Sequence, residues 1–260
     1  MHVLVTGATG TLGRRVVRAV HNAGHAVRLM SRQPAPPGTA RGVWARANLR
    51  TGAGLGQAVA GMEAVIHCAT NPKRPRPVDV TGTRQLVKAL QQAGGAHLIY
   101  ISIVGIEQVP LSYYKAKLEA EQIVEASGLP YTLLRATQFH ELIDLLLQGL
   151  AKCPVVLPLP TRVPIQSIAA VEVAARLAQA VGDGPRGRLT DLGGPEVLPM
   201  RDVAEAWMSA RGLRKPLVPV PTWGAALDAV RKGALTAPSA RQGHQRWGAW
   251  LTETSASVAS

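Results

Sequence analysis

Short apolar runs alternate with amphipathic stretches through the first half of the chain. Val3-Leu4-Val5 is the kind of run that is buried on both faces of a parallel sheet. Val16, Val17, Ala19 and Val20 then share one helical face, which stops at Gly24, and a second strand is predicted over 26–30. The same reading predicts strands over 42–47, 64–67, 97–102 and 131–135. It predicts helices over 55–60, from Asp79 to about 93, and over 112–127. Strands separated by helices of this length need right-handed crossovers. The expected fold is therefore α/β, a doubly wound parallel sheet.

Beyond Ala136 the pattern is less regular. Helices are expected over 141–151, 171–181, 200–210 and 222–232, strands over 189–192 and 217–220, and a proline-rich segment over 154–164. The division expected is a dinucleotide-binding domain over 1–152, a small C-terminal substrate-shaping region over 153–251 packed on it, and a disordered tail over 252–260.

The first strand runs straight into Gly7, Gly10 and Gly13 and then into a helix. Gly7 permits a sharp turn, Gly10 lets backbone approach a pyrophosphate, and Gly13 lets the helix sit close on the sheet. The helix N-terminus then offers unsatisfied N–H groups and partial positive charge to an anion. At the end of the second strand the chain reads Leu29-Met30-Ser31-Arg32. It lacks the carboxylate that would hold free ribose hydroxyls. Ser31 can hydrogen-bond a 2′-phosphate and Arg32 can pair with it, so NADP(H) is the cofactor expected.

Bulk properties narrow the field. With 260 residues, 47% hydrophobic, the chain can bury a full core. No apolar stretch approaches the roughly 20 residues of a membrane span, and no membrane partner is expected. A core strand beginning at residue 3 leaves no room for a signal peptide. Cys68 and Cys153 have neither disulfide nor metal spacing, so a cytoplasmic location without bound metal is expected. The formal charge of +13 invites a nucleic-acid reading, but the arginines are scattered and aromatics make up only 4% of the chain. No specific nucleic-acid partner is expected, and part of the excess charge can steer an anionic cofactor.

The chemistry is expected on the helix over 112–127. Tyr113 and Lys117 are four residues apart and project together. An ammonium beside a phenol favours phenolate, and such a tyrosine can protonate an oxygen as hydride reaches a carbonyl or conjugated carbon. The alternative is an exposed helix with a Lys117–Glu121 pair and Tyr113 packed on the core. His140, after the sixth strand, is weighed as a second proton relay against a packing residue. Trp207 and Trp223 fit a substrate wall or core anchors equally well, and His67 reads as structural.

At this point the chain resembles the short-chain dehydrogenase/reductase superfamily, in its atypical NmrA-like, NAD(P)H-binding branch. The residues that carry the resemblance are Thr6 to Gly13 (TGATGTLG), Val65 to Ala69, Asp79-Val80-Thr81-Gly82-Thr83, Tyr100 to Gly105, Tyr113 to Lys117 and Gly128 to Phe139, with Trp247, Trp250 and Leu251 as a weaker late match. The resemblance implies a Rossmann fold, Tyr113 and Lys117 as the catalytic YxxxK pair, and Lys117 also on the nicotinamide ribose. It places Thr9, Gly10, Thr11 and Leu12 at the pyrophosphate, Ala69 and Thr70 beside the adenosine and ribose, and Ala136 to Gln138 near the nicotinamide. Asn48, followed by Leu49, stands where an aspartate often faces adenine. Ile103 stands where the superfamily usually has a catalytic hydroxyl, and Ser102 just before it can point into the sheet.

These features imply an NADPH-dependent reductase of a small carbonyl, enone, imine or quinone substrate. Two rivals stand beside it. One is an NADP(H)-binding redox sensor that regulates a partner without turnover; the other is a nucleotide-sugar epimerase, disfavoured by the missing hydroxyl and short C-terminal region.

Overall fold

The structure is a computed structural model that describes residues 1–38, 43–221 and 223–256. Strands β1 (His2–Thr6), β2 (Ala26–Ser31), β3 (Trp44–Arg46), β4 (Ala64–His67), β5 (His97–Ile103) and β6 (Tyr131–Ala136) join Gly187–Arg188 in one seven-stranded sheet. The spatial order is Gly187–Arg188, β6, β5, β4, β1, β2, β3. Parallel pairing is in register from Val3 opposite Val27 on one side of β1 and Ala64 on the other. Strand order reverses at β1, which lies between β2 and β4. Ligands of open α/β sheets bind beyond the carboxyl ends of the strands at such a switch.

Helices α1 (Thr11–Asn22), α2 (Leu55–Val59), α3 (Thr81–Gln92) and α4 (Ser112–Glu125) are the crossovers. Leu4, Val65, Leu98 and Leu133, one from each of four strands, share a cluster with Leu55, Leu86, Leu90 and Val124 from the helices. That alternation puts a continuous apolar layer under α2, α3 and α4.

The chain divides into two compact units, one over 1–102, 111–135 and 171–190, the other over 103–110, 136–170 and from 191 onward. This differs from the single cut expected at residue 152. The departure has a local cause: after leaving the first unit at Arg135 the chain returns to it. Gly187–Arg188 extends the sheet beside β6, and Leu189 N–H bonds to Leu133 O. The strand expected over 189–192 is consequently two residues earlier, with only an isolated bridge from Leu192 to Ala136.

The second unit holds α5 (His140–Leu150), α7 (Met200–Ala210), α8 (Ala225–Arg231) and α9 (Trp247–Ala256). Between the units in sequence, α6 (Ala170–Asp183) lies mostly in the first. Three two-stranded pairings stitch its loops: Gln138–Phe139 with Ser167–Ile168, Pro164–Ile165 with Leu198–Pro199, and Leu157–Leu159 with Leu217–Pro219. Its core includes Trp207, Trp247, Trp250, Met200 and Leu147.

Other expectations need correction. β3 is only three residues long; Gly42, expected to begin it, and Thr222, expected to begin a helix, lie outside the described residues. The segment from Thr252, expected to be disordered, continues α9 as far as Ala256, and residues 257–260 lie outside the described residues. Buried Trp247, Trp250 and Leu251 anchor that helix, and the Thr254 hydroxyl bonds back to Trp250 O at 2.8 Å. Asp79 does not cap α3. A π-helical turn, Arg76–Val80, precedes the helix, so helical bonding starts before Asp79 and its side chain is free to turn elsewhere.

Candidate dinucleotide cradle and proton-donor site

The turn from β1 into α1 has three glycines with three distinct demands. Gly7 sits at φ +64°, and a Cβ there would lie 2.8 Å from the Ala69 backbone. Gly13 is buried where a Cβ would collide with the Gly7 carbonyl oxygen and come within 2.9 Å of Ala8 Cα. Gly10 is exposed, adopts extended backbone as the N-cap of α1, and caps it with no side chain. The opening N–H groups of α1 therefore have no side-chain acceptor at the cap. No carboxylate stands in its first turn to compete for an anion. Exposed Thr9 and Thr11 flank Gly10, while Leu12 points into the core. This bare, methyl-free helix start fits a pyrophosphate.

Ser31 closes β2 opposite Arg46 of β3, and Arg46 Nε donates to Arg32 O at 3.4 Å. Ser31, Arg32 and Arg46 thus gather at the carboxyl ends of adjacent strands, with both arginines exposed. Sequence reading missed Arg46, because only strand register brings it to Ser31. Asn48 turns its Oδ1 to Arg50 N at 3.0 Å, closing a local turn, and Leu49 is a core residue packed over Gly82. The structure therefore gives Asn48 Oδ1 and Leu49 structural work beside whatever they offer an adenine. In the second unit, Gln138 pairs with Ser167, and its buried Nε2 has no hydrogen-bond partner among the described residues. An orphaned buried donor is costly unless a ligand satisfies it.

On α4, Tyr113 OH and Thr70 Oγ1 share a hydrogen bond of 3.1 Å, and Thr70 Oγ1 lies 2.6 Å from Asp79 Oδ1. Ala69, beside Thr70, donates its N–H to Thr6 Oγ1 at 3.2 Å, fixing the loop after β4. Lys117 is only 4% exposed; its Nζ donates to Ile101 O at 2.7 Å and stands 4.2 Å from the Tyr100 ring centre. Burial pushes Lys117 down to about 8, against the charges of Asp79, Glu121 and Cys68 that hold it up. The expected lowering of Tyr113 by Lys117 does not occur. Burial pushes the phenol up to about 12, Thr70 opposes the rise, and the charge of Asp79 adds to it. The reason is geometric, since the ammonium is spent on Ile101 O and the Tyr100 ring. Tyr113 is held as a neutral acid.

Lys117 does not pair with Glu121 in the manner of an exposed helix. Glu121 is fully buried and takes Arg135 through two bonds, of 2.9 and 2.7 Å, and Arg188 through one of 3.1 Å. Burial alone would raise Glu121, but the hydrogen bonds and charge of Arg135, with the charge of Arg188, outweigh it and lower its pKa. Ser102 is buried, and its hydroxyl has no hydrogen-bond partner among the described residues, so it points into the fold, as its position before Ile103 suggested. His67 sits between the hydroxyls of Thr6 and Thr83 at 2.7 and 3.1 Å, and burial, helped by Lys117, lowers it to about 3. It is structural.

In the second unit His140 is a packing residue. Its ring nitrogens meet Ser167 Oγ at 2.8 Å and Gln245 O at 3.0 Å, and Trp247 and Trp250 flank the ring. Trp207 is a core anchor bonded to Asp144, whereas Trp223 is 82% exposed and anchors nothing.

Residues 7–149 match the NAD(P)H-binding family. The chain belongs to that family. Membership agrees with the short-chain dehydrogenase/reductase resemblance and places this NAD(P)H-binding protein beside both reductases and proteins with other roles. A (4-alkanoyl-5-oxo-2,5-dihydrofuran-3-yl)methyl phosphate reductase of Streptomyces griseus is 29% identical over 221 residues, 83% of this chain and 75% of that protein. The photosystem II assembly factor Ycf39 of Cyanophora paradoxa is 31% identical over 54% of this chain, which spans 46% of the factor's length. Among solved structures, an Escherichia coli NADPH-dependent quinone oxidoreductase aligns over 99% of this chain and 100% of its own, with TM-score 0.79 and 19% identity. At that identity the likeness is one of fold.

Proposed function

We propose that this protein is an NADPH-dependent reductase of a small molecule with a carbonyl, enone, imine or quinone group. The observation that carries this reading is a neutral phenol, Tyr113, hydrogen-bonded to Thr70 one helical turn before buried Lys117. When bound, a reduced nicotinamide supplies the hydride. Gly10 and the start of α1 would hold the pyrophosphate, Ser31 and Arg32 would receive the 2′-phosphate, and Ala69 and Thr70 would border the rest. Tyr113 OH gives its proton to the substrate oxygen or nitrogen as negative charge develops there, and Lys117 serves the nicotinamide ribose. A reductase relative and a quinone-oxidoreductase fold neighbour support the reading. A cytoplasmic location and a soluble small-molecule partner go with it.

A second reading is an NADP(H)-binding redox sensor without turnover. Ile103 favours it by lacking a hydroxyl, as does an assembly factor among the relatives. NADPH oxidation with a panel of quinones and enones decides between them. The reductase reading expects turnover that Tyr113→Phe lowers by about 10²–10⁴-fold. Tight NADPH binding with no turnover, unaltered by Tyr113→Phe, would establish the sensor.

The coenzyme choice has its own check. Arg32→Ala is expected to weaken NADPH by about 1.5–3 kcal/mol, the loss of a charged hydrogen bond, and to leave NADH nearly unchanged. Calorimetric titration with both nucleotides measures it, and equal weakening of the two would assign Arg32 to the solvent.

A further inference from the structure

Asp79 is 1% exposed, yet both its carboxylate oxygens face the loop after β4. Oδ1 takes the Thr70 hydroxyl at 2.6 Å, and Oδ2 accepts the Asn71 N–H at 3.1 Å. The shorter distance is that of a charge-assisted O–H···O⁻ bond. A threonine hydroxyl has one proton and two lone pairs. That one proton serves two oxygens, for Thr70 Oγ1 donates to Asp79 Oδ1 and also, 3.1 Å away, to the Tyr113 phenol oxygen. The π-helical turn explains how Asp79 arrives there, since its extra residue, closed by Thr81 N–H on Arg76 O, turns the side chain inward. Arg76, which opens that turn, and Arg84, in α3 just after it, both reach Glu119 of α4, at 3.0 and 3.4 Å. These contacts tie the turn to the helix that bears Tyr113.

We propose that Asp79 and Thr70 are positioning residues for Tyr113: the carboxylate anchors the Thr70 hydroxyl beside the phenol oxygen, to which Thr70 donates, fixing that oxygen and leaving the phenol's own proton free for a substrate, the service that Ile103 lacks the hydroxyl to perform. The inference rests on the reading of Tyr113 as the acid. Tyr113 is faced by Asp79 from the π turn, by Tyr114 from its own helix and by Tyr100 from β5. Lys117 is turned to Ile101 O and Tyr100, and His67 and Cys68 of the β4 end lie toward Lys117.

The test follows the phenolate absorbance of the intact protein across pH, each variant being subtracted from its Tyr113→Phe counterpart. Asp79→Asn removes a negative charge and frees the Thr70 proton for the phenolate, so Tyr113 is expected to ionise at lower pH, by about half a unit or more. Thr70→Val removes the phenolate's hydroxyl neighbour and is expected to shift ionisation the other way. Opposite shifts support the pair; no shift in either variant, or shifts of one sign, overturns it. Thr70 is exposed, so Thr70→Val decides by its sign alone if Asp79→Asn fails to fold. With a substrate in hand, Asp79→Asn is expected to lower kcat while leaving KM for NADPH within about twofold. Opposite ionisation shifts alongside turnover indifferent to Tyr113→Phe would retain the pair and reject Tyr113 as the acid, so the two claims fail separately.

Discussion

Glu121→Ala is expected to cost about 3–5 kcal/mol of folding stability, the range for breaking one side of a buried ion pair. Glu121 is fully buried, and its removal leaves the Arg135 guanidinium, 9% exposed, without its bidentate carboxylate. Arg188 offers no such leverage. Its side chain is 42% exposed and keeps Glu125 at 2.9 Å, so Arg188→Ala is expected to cost about 1 kcal/mol or less. The mechanism is the loss of a buried counter-charge rather than the strength of the pair. Glu121→Leu combined with Arg135→Met is therefore expected to recover most of the loss. The pH dependence has a definite sign. Glu121 is lowered below the ordinary 4.5, so its contribution is complete above that pH and disappears as pH falls through the lowered value. Urea unfolding from neutral into acid pH is expected to show wild type and Glu121→Ala converging. A loss under about 1 kcal/mol at neutral pH, or an undiminished gap in acid, would contradict the assignment.

The second large effect separates Gly13 from Gly10. Gly13→Ala forces a methyl into the backbone of Gly7 and Ala8, none of which can swing aside as a side chain would. The β1–α1 turn must open, at a cost of about 1–3 kcal/mol. Opening it moves the helix start away from the phosphate, so NADPH binding is expected to weaken at least about tenfold as well. Gly10→Ala differs. Its backbone is extended, with φ −78°, and its nearest obstacle is the Gly7 carbonyl oxygen at 3.2 Å. An added methyl there is tolerated by the fold but occupies the exposed approach to the pyrophosphate. It is expected to weaken NADPH by a similar factor with under about 1 kcal/mol change in stability. Paired calorimetry and urea unfolding check both. Equal effects of the two substitutions on stability would refute the division of labour.

The amino-acid sequence alone determined the doubly wound sheet, the β1–α1 cradle and the positions of Tyr113 and Lys117. Each of these rests on local order: an apolar run, a glycine, a helical spacing of four. Tertiary structure decided the rest, because it depends on partners far away in the chain. Strand register set Arg46 beside Ser31. Burial on β5 sent the Lys117 ammonium to a backbone carbonyl, and with it went the expected activation of the phenol. The returning segment after α6 brought Arg188 to Glu121, and a π turn invisible in the hydrophobic pattern carried Asp79 to Thr70. Periodicity reports which face of an element is buried. Which charge or hydroxyl meets it there follows only from the packing of elements against one another.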